Sequence, residues 1–414
     1  MIDPLTRLIH HPYTPPAGFA APQPGVFKAS TVIFPNVAAM RSRDWKHKHG
    51  YTYGLHGTPT TFTLEERIAT LEGGLQSVLV PSGLAAIANV ALALLKTGDE
   101  VLIPDNAYGP NKALAEGELA AFGITHQYYD PMDVADLAAR ITPKTKLVWL
   151  EAAGSVTMEF PDLIAQVRLC RERGVVSALD NTWGAGLAFN AFDLDGAGLG
   201  VDISAHALTK YASGGGDVLM GSITTRDEAL HLKIKLTHMR LGLGVGANDA
   251  EAVLRALPSI GLRYRAQDQA ARALARWCLT QPQLARVLHP ALAGAPGHAH
   301  WQQVCGAADA RGDGAAAGLF SVMVDARYTP AQVDAFCDAL KLFKLGYSWG
   351  GPVSLVVPYD LASMRGQWPA HLARGTLVRL AGGGSGGRSA GRPDPGPCAS
   401  VAHLTASFYI AASA

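Results

Sequence analysis

The stretches that decide the fold are DISAHALTKYASGGG, residues 202–216, and ALDNTWGAG, residues 178–186. Each begins with apolar and β-branched residues typical of a buried strand, and each continues into polar residues and glycines. The earlier strand ends at Asp180, and the later one leads through His206 to Lys210. Because ligands of open α/β sheets bind beyond the carboxyl ends of the strands, we expect Asp180 and Lys210 to share one site.

A lysine and a carboxylate at two such strand ends are the pair that pyridoxal phosphate chemistry requires. The lysine must form a Schiff base, which needs an amine held near neutrality. The carboxylate must keep the pyridine nitrogen of the cofactor protonated, because only then does the ring accept electrons. The structural alternative is a buried aspartate satisfied by backbone donors, beside a surface lysine followed by a glycine turn.

The same alternation of strand, turn and helix recurs along the first 250 residues. Residues 77–80 predict a strand, after which residues 81–84 turn into an alanine-rich helix over 85–95. The free N–H groups of Gly83 and Leu84 at that helix N-terminus predict a phosphate site. Further strands are predicted over 101–103, 126–129, 147–150, 175–179, 201–206 and 218–224, with helices over 133–140, 162–173 and 230–241. The pattern predicts an α/β fold with a mostly parallel seven-stranded sheet.

Eight motifs, agreeing in order and spacing, make the chain resemble the Cys/Met-metabolism family of fold-type I pyridoxal phosphate enzymes over roughly residues 25–380. They are YTYGLHGTPTTFTLEERIATLEGG (51–74), VPSGLAAIANV (80–90), NAYGP (106–110), LEAAGSVTMEFPD (150–162), LDNTWGAG (179–186), HALTKY (206–211), YSWGG (347–351) and GTLVRL (375–380). The resemblance implies an aminotransferase-like large domain, a smaller C-terminal α+β domain and pyridoxal 5'-phosphate as cofactor.

The resemblance also implies a role for each residue of the site. Lys210 would carry the cofactor covalently and then act as base and acid, and Asp180 would hold the pyridinium. The remaining cofactor contacts would come from Gly83, Leu84, Tyr108, Thr182, Thr209 and, from a neighbouring subunit, Tyr53. Tyr108 and Tyr53 would also be catalytic residues. Arg379 would bind the substrate α-carboxylate in a bidentate fork, helped by Ser348 and Trp349.

Within the family, the residues favour β-elimination from cystathionine or another cysteine S-conjugate. Trp349, the residues Gly109 and Pro110 after Tyr108, and AGSVTME at 153–159 are similar to the β-lyase branch. Two alternatives stay open. One is a γ-type transferase or lyase of the same family, and the other is an inactive product of a damaged reading frame.

Some positions depart from the family pattern around the phosphate. Leu55 stands where the family has an arginine from the neighbouring subunit, and His56 is a candidate substitute. Ala207 replaces a serine, and Ala212 and Gly215 also differ from the usual lysine motif. These departures concern the anchoring of the phosphate and leave Lys210 and Asp180 untouched.

The predicted organisation has four parts. Residues 1–60 form an arm that contacts a neighbouring subunit, 61–250 the cofactor domain, and 251–380 the C-terminal domain. The tail, residues 381–414, is rich in Gly, Arg, Pro and Ser and has no helical period, which predicts a disordered segment. Its abrupt start favours a shifted reading frame, with a divergent native tail as the alternative.

Composition narrows the class of partner. The 414 residues include 35 basic and 34 acidic side chains, a balance that argues against nucleic acid or an anionic membrane. Five cysteines without CxxC pairing and no apolar leader or span predict a cytoplasmic protein. The histidine pairs 47/49 and 298/300 lie in predicted loops without a carboxylate or thiolate cluster, so no metal is expected. The expected partners are an amino-acid substrate and further copies of the chain, with a dimer as catalytic unit within a tetramer.

Overall fold

The computed structural model describes residues 4–13, 17–306 and 313–383. Its strands are β1 Gln76–Val80, β2 Glu100–Pro104, β3 Thr125–Tyr129, β4 Thr145–Glu151, β5 Val176–Asp180, β6 Ile203–His206, β7 Gly221–Thr225, β8 Leu284–Leu288, β9 Leu319–Asp325, β10 Lys344–Leu345, β11 Leu355–Tyr359 and β12 Gly375–Ala381. Its α-helices are α1 Pro4–Ile9, α2 Val37–Arg41, α3 Pro59–Glu72, α4 Gly83–Leu94, α5 Gly109–Leu114, α6 Val134–Arg140, α7 Leu163–Arg173, α8 Glu228–Leu241, α9 Ala247–Ala256, α10 Ile260–Cys278, α11 His298–Cys305, α12 Pro330–Ala339 and α13 Leu361–Met364.

The larger sheet has seven strands in the order β1-β7-β6-β5-β4-β2-β3. Only β7 runs antiparallel to its neighbours. The predicted α/β fold and the mostly parallel seven-stranded sheet are therefore confirmed. Glu151 pairs with Asp180 in the β4–β5 register, and Asp180 pairs with Ala205 of β6, so these strand ends meet at one edge.

Alternate residues of the central strands feed two hydrophobic cores. Val78, Val101, Trp149 and Ile203 are among the strand residues packed on one face of the sheet. Their neighbours Leu79, Leu102, Val148 and Leu179 pack on the other. Since successive strand side chains point to opposite faces, a sheet covered by helices on both sides needs apolar residues throughout, which is what these strands carry.

Local sequence sets the helix ends that matter for the site. Thr58 caps α3 in a capping box with Thr61, and Gly73 ends that helix in the left-handed conformation with φ 78°. The Ser82 side chain accepts from the N–H of Ala85 and so caps α4, which begins at Gly83. The predicted helix thus exists and begins two residues earlier than expected.

The smaller sheet has five strands in the order β10-β11-β12-β9-β8. Its β11, β12, β9 and β8 are antiparallel neighbours, and the short β10 is parallel to β11. One face packs on α10 and α12 around Phe320, Val322, Phe336 and Val378. The sheet with its helices is the second α+β unit that the sequence predicts, and the domain boundaries near 60 and 250 stay a prediction.

The arm that contacts a neighbouring subunit, residues 1–60, stays a prediction. Within this segment, Leu8 of α1 is 1% exposed and belongs to the core of its own chain. Much of the following segment is exposed, including Phe19, Ile33 and Tyr53. The predicted disordered tail begins at 381, but Ala381 is buried as the last residue of β12 because it packs in the core, and residues 382 and 383 follow it. The predictions for 384–414 lie outside the described residues. No helix among the described residues is long and apolar enough to cross a membrane.

Candidate active site

A cavity of about 590 Å³ lies at the carboxyl edge of the larger sheet, where the smaller sheet approaches it. The sequence-predicted residues that line it are Gly83, Leu84, Tyr108, Asp180, Thr182, Thr209, Lys210, Ser348, Trp349 and Arg379. We term the lining residues that fall between positions 83 and 210 the large-sheet wall. Residues 347–379 form the small-sheet wall, with Tyr347, Ser348 and Trp349 after β10, Tyr359 on β11 and Arg379 on β12.

Lys210 lies in the turn after β6 and reaches from the large-sheet wall to the small-sheet wall. Its Nζ donates a hydrogen bond to Ser348 Oγ over 2.9 Å and lies 5.4 Å from the centre of the Trp349 ring. Burial and the nearby charge of Arg379 lower the pKa of Lys210 to about 8, against the opposing effect of Asp180. This amine is therefore partly neutral at physiological pH, as a nucleophile must be.

Asp180 and Glu151 lie side by side at the ends of β5 and β4. Asp180 Oδ1 accepts from the backbone N–H of Thr182 over 3.0 Å and from its hydroxyl over 2.5 Å. Burial raises the pKa of Asp180, whereas Thr182, His206 and Lys210 favour its ionised form. Burial together with the charge of Asp180 raises the pKa of Glu151 well above its usual range. Of these two adjacent carboxyl groups, Asp180 is therefore the one that ionises more readily.

A second layer of polar side chains supports the strand ends. Glu72, the last residue of α3, and His206, the last residue of β6, are joined by a 2.8 Å hydrogen bond, and both side chains are fully buried. Glu72 also accepts from Ser204 and Asn181. The sequence predictions did not include Glu72, although it lies within the quoted motif at 51–74.

The phosphate end of the predicted site is formed by the start of α4. A Cβ on Gly83 would lie 2.7 Å from the Cβ of Ala207, so only glycine fits there. Thr209 also lines the cavity, but its hydroxyl already donates to the carbonyl of Met220 and accepts from the N–H of that residue. Its predicted phosphate role therefore requires those bonds to be shared or broken.

The small-sheet wall carries a buried cation. Arg379 is 7% exposed, and within the described residues its guanidinium has neither an ion pair nor a side-chain hydrogen bond. It lies 5.2 Å from the centre of the Tyr359 ring, which provides a cation–π contact. A buried arginine without an anion is costly, so this position is suited to a carboxylate ligand.

Ion pairs between the two sheet units hold the walls together. Arg365, 5% exposed at its side chain, bonds Asp105 over 3.0 Å and Glu159 over 2.9 Å. Burial would raise the pKa of Glu159, but the hydrogen bond from His371 and the charge of Arg365 lower it to about 2. Lys112 also pairs with Asp105, over 2.9 Å. We term Asp105, Lys112, Glu159, Arg365 and His371 the clamp.

The structure does not bring Tyr53 to the cavity of its own chain. Tyr53 is 46% exposed and does not line that cavity. Leu55 and His56 line a separate small hollow with Lys48 and Lys235. Within a single chain, His56 is therefore not placed to replace the missing arginine, and the predicted action of Tyr53 in a neighbouring subunit stays a prediction.

Two site residues escaped the sequence predictions. Glu151 follows a predicted strand, as Asp180 does, and its Oε2 accepts from the N–H of Tyr108 over 2.8 Å. The signal was available, because both residues are acidic and end neighbouring strands. Tyr359 gave no such signal, since only the pairing of β11 with β12 brings it to Arg379.

The two histidine pairs differ from expectation. His298 and His300 begin α11 rather than lying in a loop, and His300 is 3.8 Å from Asp162. His47 and His49 have a carboxylate beside them after all, since Asp44 is 2.8 Å from His47 and 3.5 Å from His49. All three of those residues are exposed. The sequence missed these contacts because Asp44 is positioned by a turn that has no periodic pattern.

Comparison with known proteins agrees with the site. The family model for Cys/Met metabolism PLP-dependent enzymes matches residues 5–383. A putative cystathionine beta-lyase of Rhizobium johnstonii is 39% identical over 85% of this chain and 85% of its own. The cystathionine beta-lyase of Salmonella typhimurium is 35% identical over 85% of this chain and 87% of its own. The crystal structure of cystathionine gamma synthase from Xanthomonas oryzae superposes with a TM-score of 0.83 over 100% of this chain and 99% of that one, at 26% identity.

The fold and the lysine–carboxylate site define a fold-type I pyridoxal phosphate enzyme. The chain belongs to the Cys/Met metabolism family of PLP-dependent enzymes, and it is a lyase of that family. The predicted family and cofactor are thereby confirmed. The residues present fit the cofactor, because a partly neutral lysine, a buried aspartate and a glycine-led helix N-terminus open on one cavity.

Proposed function

We propose that this enzyme cleaves L-cystathionine by β-elimination to homocysteine, pyruvate and ammonia. A proton leaves Cα, the Cβ–S bond breaks, and its electron pair departs with sulfur, which takes up a proton. One water then hydrolyses the three-carbon remainder to pyruvate and ammonia. The bound pyridoxal phosphate supplies the electron sink for the Cα carbanion.

The residues of the chain divide this work between the two walls. Lys210 is the group placed to remove the Cα proton and to return one to the departing sulfur, because its Nζ lies in the cavity between both walls. Ser348 holds that amine through a hydrogen bond. Arg379 donates hydrogen bonds to the α-carboxylate of the substrate, and Asp180 would provide the anion for the cofactor ring.

The observation that carries the proposal is the position of Lys210 between Asp180 and Arg379. Burial and the positive charge of Arg379 lower the pKa of its amine, and the negative charge of Asp180 raises it. An amino acid held by its carboxylate at Arg379 would present Cα toward that amine. The centre of the Trp349 ring lies 5.4 Å from Nζ, so this side chain lies beside the amine.

The test is product analysis with purified enzyme loaded with pyridoxal phosphate. L-Cystathionine should yield equal amounts of pyruvate and free thiol, measured by reduction of pyruvate and by thiol titration. Release of 2-oxobutyrate and cysteine would instead assign a γ-lyase. Consumption of an activated homoserine with cysteine, without pyruvate, would assign the synthase. Visible absorbance of bound cofactor without turnover of any of these substrates would support the damaged reading frame.

We also propose that the catalytic unit is a dimer, within a tetramer, and that the enzyme works in the cytoplasm. The support is the exposed arm, in which Phe19, Ile33 and Tyr53 find no cover within the described chain. Mixing inactive Tyr53→Ala and Lys210→Ala protomers should restore part of the activity, because a hybrid dimer has one intact site. No recovery after verified subunit exchange would refute the role of Tyr53 in the neighbour.

A further inference from the structure

The loop that follows α2 brings three metal-ligand atoms together on the surface of the chain. Asp44 Oδ2 is 2.8 Å from His47 Nδ1 and 3.5 Å from His49 Nδ1. All three atoms lie within 4.8 Å of one another. A tetrahedral metal with bonds of about 2.0–2.1 Å separates its ligand atoms by about 3.3–3.4 Å, so small movements of exposed side chains bring these three atoms onto one ion.

The turn in this loop directs the three side chains to the same side. Asp44 Oδ1 accepts from the N–H of Lys46 over 3.0 Å and from the N–H of His47 over 3.3 Å, which leaves Oδ2 to the imidazoles. The rings of His47 and His49 stack with their centres 5.5 Å apart and their planes at 25°. Two histidines that are two positions apart therefore lie side by side.

The charges of the loop also suit a cation. The hydrogen bond from the neighbouring imidazole lowers the pKa of Asp44 to about 2, so this ligand is ionised at neutral pH. The two lysines of the loop have partners elsewhere. Lys48 Nζ pairs with Glu65 over 2.5 Å, and Lys46 Nζ lies 5.8 Å from the centre of the Trp45 ring.

The exposure of the three ligands leaves room for a hydrated ion. The side chains of Asp44, His47 and His49 are 41%, 59% and 80% exposed. Binding of a metal would replace the hydrogen bond between His47 and Asp44 by a bond from each residue to the ion. The ring of His47 would then carry its proton on Nε2 instead of Nδ1.

We propose that Asp44, His47 and His49 form a binding site for a divalent transition-metal ion, with Zn²⁺ as the ion and water as the fourth ligand. Imidazole and carboxylate are ligands that Zn²⁺ uses in proteins, and three protein ligands with one water are an established arrangement for it. None of the three residues lines the catalytic cavity, so the proposal is independent of the proposed function.

The second histidine pair of the chain provides a matched control, because it has the same spacing in a different local structure. His298 and His300 lie on α11, where residues two positions apart point about 200° away from each other. The Nδ1 atom of His298 is 2.8 Å from the carbonyl of Pro290, whereas that of His300 is 3.8 Å from Asp162. We therefore expect no shared ion at this pair.

The test is equilibrium dialysis of untagged holoenzyme against Zn²⁺. Wild type should bind a single ion per chain at this site. His47→Ala and His49→Ala should each raise the Kd by more than the roughly 10-fold that loss of an outer-shell partner costs, and Asp44→Asn should raise it less, because its amide oxygen remains a ligand. The control His300→Ala should match wild type. Absence of Zn²⁺ binding by wild type, or an equal loss in His300→Ala, would overturn the proposal.

Cu²⁺ gives a second readout, because it binds nitrogen and oxygen sites more tightly than Zn²⁺ does. Electron paramagnetic resonance should show coupling to two imidazole nitrogens in wild type and to one in His49→Ala. The same number in both would refute the role of His49. The absorbance of bound cofactor checks that every variant is folded, and neither readout depends on turnover of cystathionine.

Discussion

The two walls of the cavity differ in charge and in how their polar groups are satisfied. The large-sheet wall holds both carboxyl groups, Glu151 and Asp180, each with hydrogen-bond donors. The small-sheet wall holds Arg379, a buried cation that has an aromatic ring beside it and no anion among the residues that the structure describes. The carboxyl groups of the first wall have hydrogen-bond partners without substrate, whereas Arg379 of the second wall has no anionic partner among the described residues. The difference indicates that the first wall is shaped for the cationic ring of the cofactor and the second for a carboxylate of the substrate.

The largest loss of activity is expected on substitution of Lys210, the residue that spans both walls. Lys210→Ala should abolish the visible absorbance of covalently bound cofactor and reduce turnover by more than the roughly 10²- to 10⁴-fold that proton transfer alone provides. Pyruvate release and absorbance measure both effects. The exposed Lys341→Ala is the control and should match wild type. Pyruvate formation by Lys210→Ala at the wild-type rate would contradict the assignment.

The next largest effect is expected where the clamp joins the walls. Arg365→Met leaves Asp105 and Glu159 without their shared buried partner, so the free energy of unfolding should fall by about 3–5 kcal/mol. Chemical denaturation measures the change. Arg327→Met, which removes an exposed pair with Asp325, should cost at most about 1 kcal/mol. Equal losses in the two variants would show that the clamp contributes no more than a surface pair.

The incomplete wall is tested by Arg379→Lys. Lysine retains the charge but not the bidentate fork, so kcat/KM should fall about 10- to 100-fold, the equivalent of one or two charge-assisted hydrogen bonds. Bound cofactor should be unaffected, because Arg379 belongs to the other wall. Steady-state kinetics with L-cystathionine and the absorbance of the cofactor report the two separately. Arg374→Lys, exposed on the same segment, serves as control, and loss of cofactor from Arg379→Lys would contradict the division between walls.

The smallest effect is expected for Glu151→Gln, and it concerns stability. Burial and Asp180 raise the pKa of Glu151, so the folded apoprotein holds it neutral and glutamine imitates that form. A raised folded pKa means that stability is full below the usual value of 4.5 and is lost as pH rises toward the folded pKa. Glu151→Gln removes that loss. Its Tm should therefore increase relative to wild type between pH 4.5 and neutrality, and a constant difference across that range would contradict the prediction.

Much of the large-sheet wall was predictable because its residues follow strands that the sequence marks clearly. Asp180, Lys210 and Gly83 each come directly after or shortly after an apolar run, and a parallel sheet brings such positions to one edge. Glu151 also directly follows a predicted strand, although it was not among the predicted site residues. Arg379, Ser348 and Trp349 were predicted from family resemblance alone, since nothing in the local pattern of residues 347–379 relates them to Lys210.

The contacts that set charge and shape required the tertiary structure. Glu72 and His206 are 134 positions apart, and Arg365 and Asp105 are 260 apart. No periodicity links such residues, because each is placed by the packing of its own element. The short segment around Asp44 shows the same limit at close range, where a turn decides which side chains meet.

Local sequence alone predicts the family, the cofactor, the mostly parallel sheet and the lysine–carboxylate pair, because these depend on local motifs and on the apolar runs that mark each strand. The tertiary structure is needed to show that Lys210 bonds Ser348, that Glu72 and His206 form a buried pair, and that Arg379 lies buried beside Tyr359 with no anion among the described residues. The physical reason is that burial and long-range electrostatics depend on which distant elements pack together, and local sequence does not specify that packing.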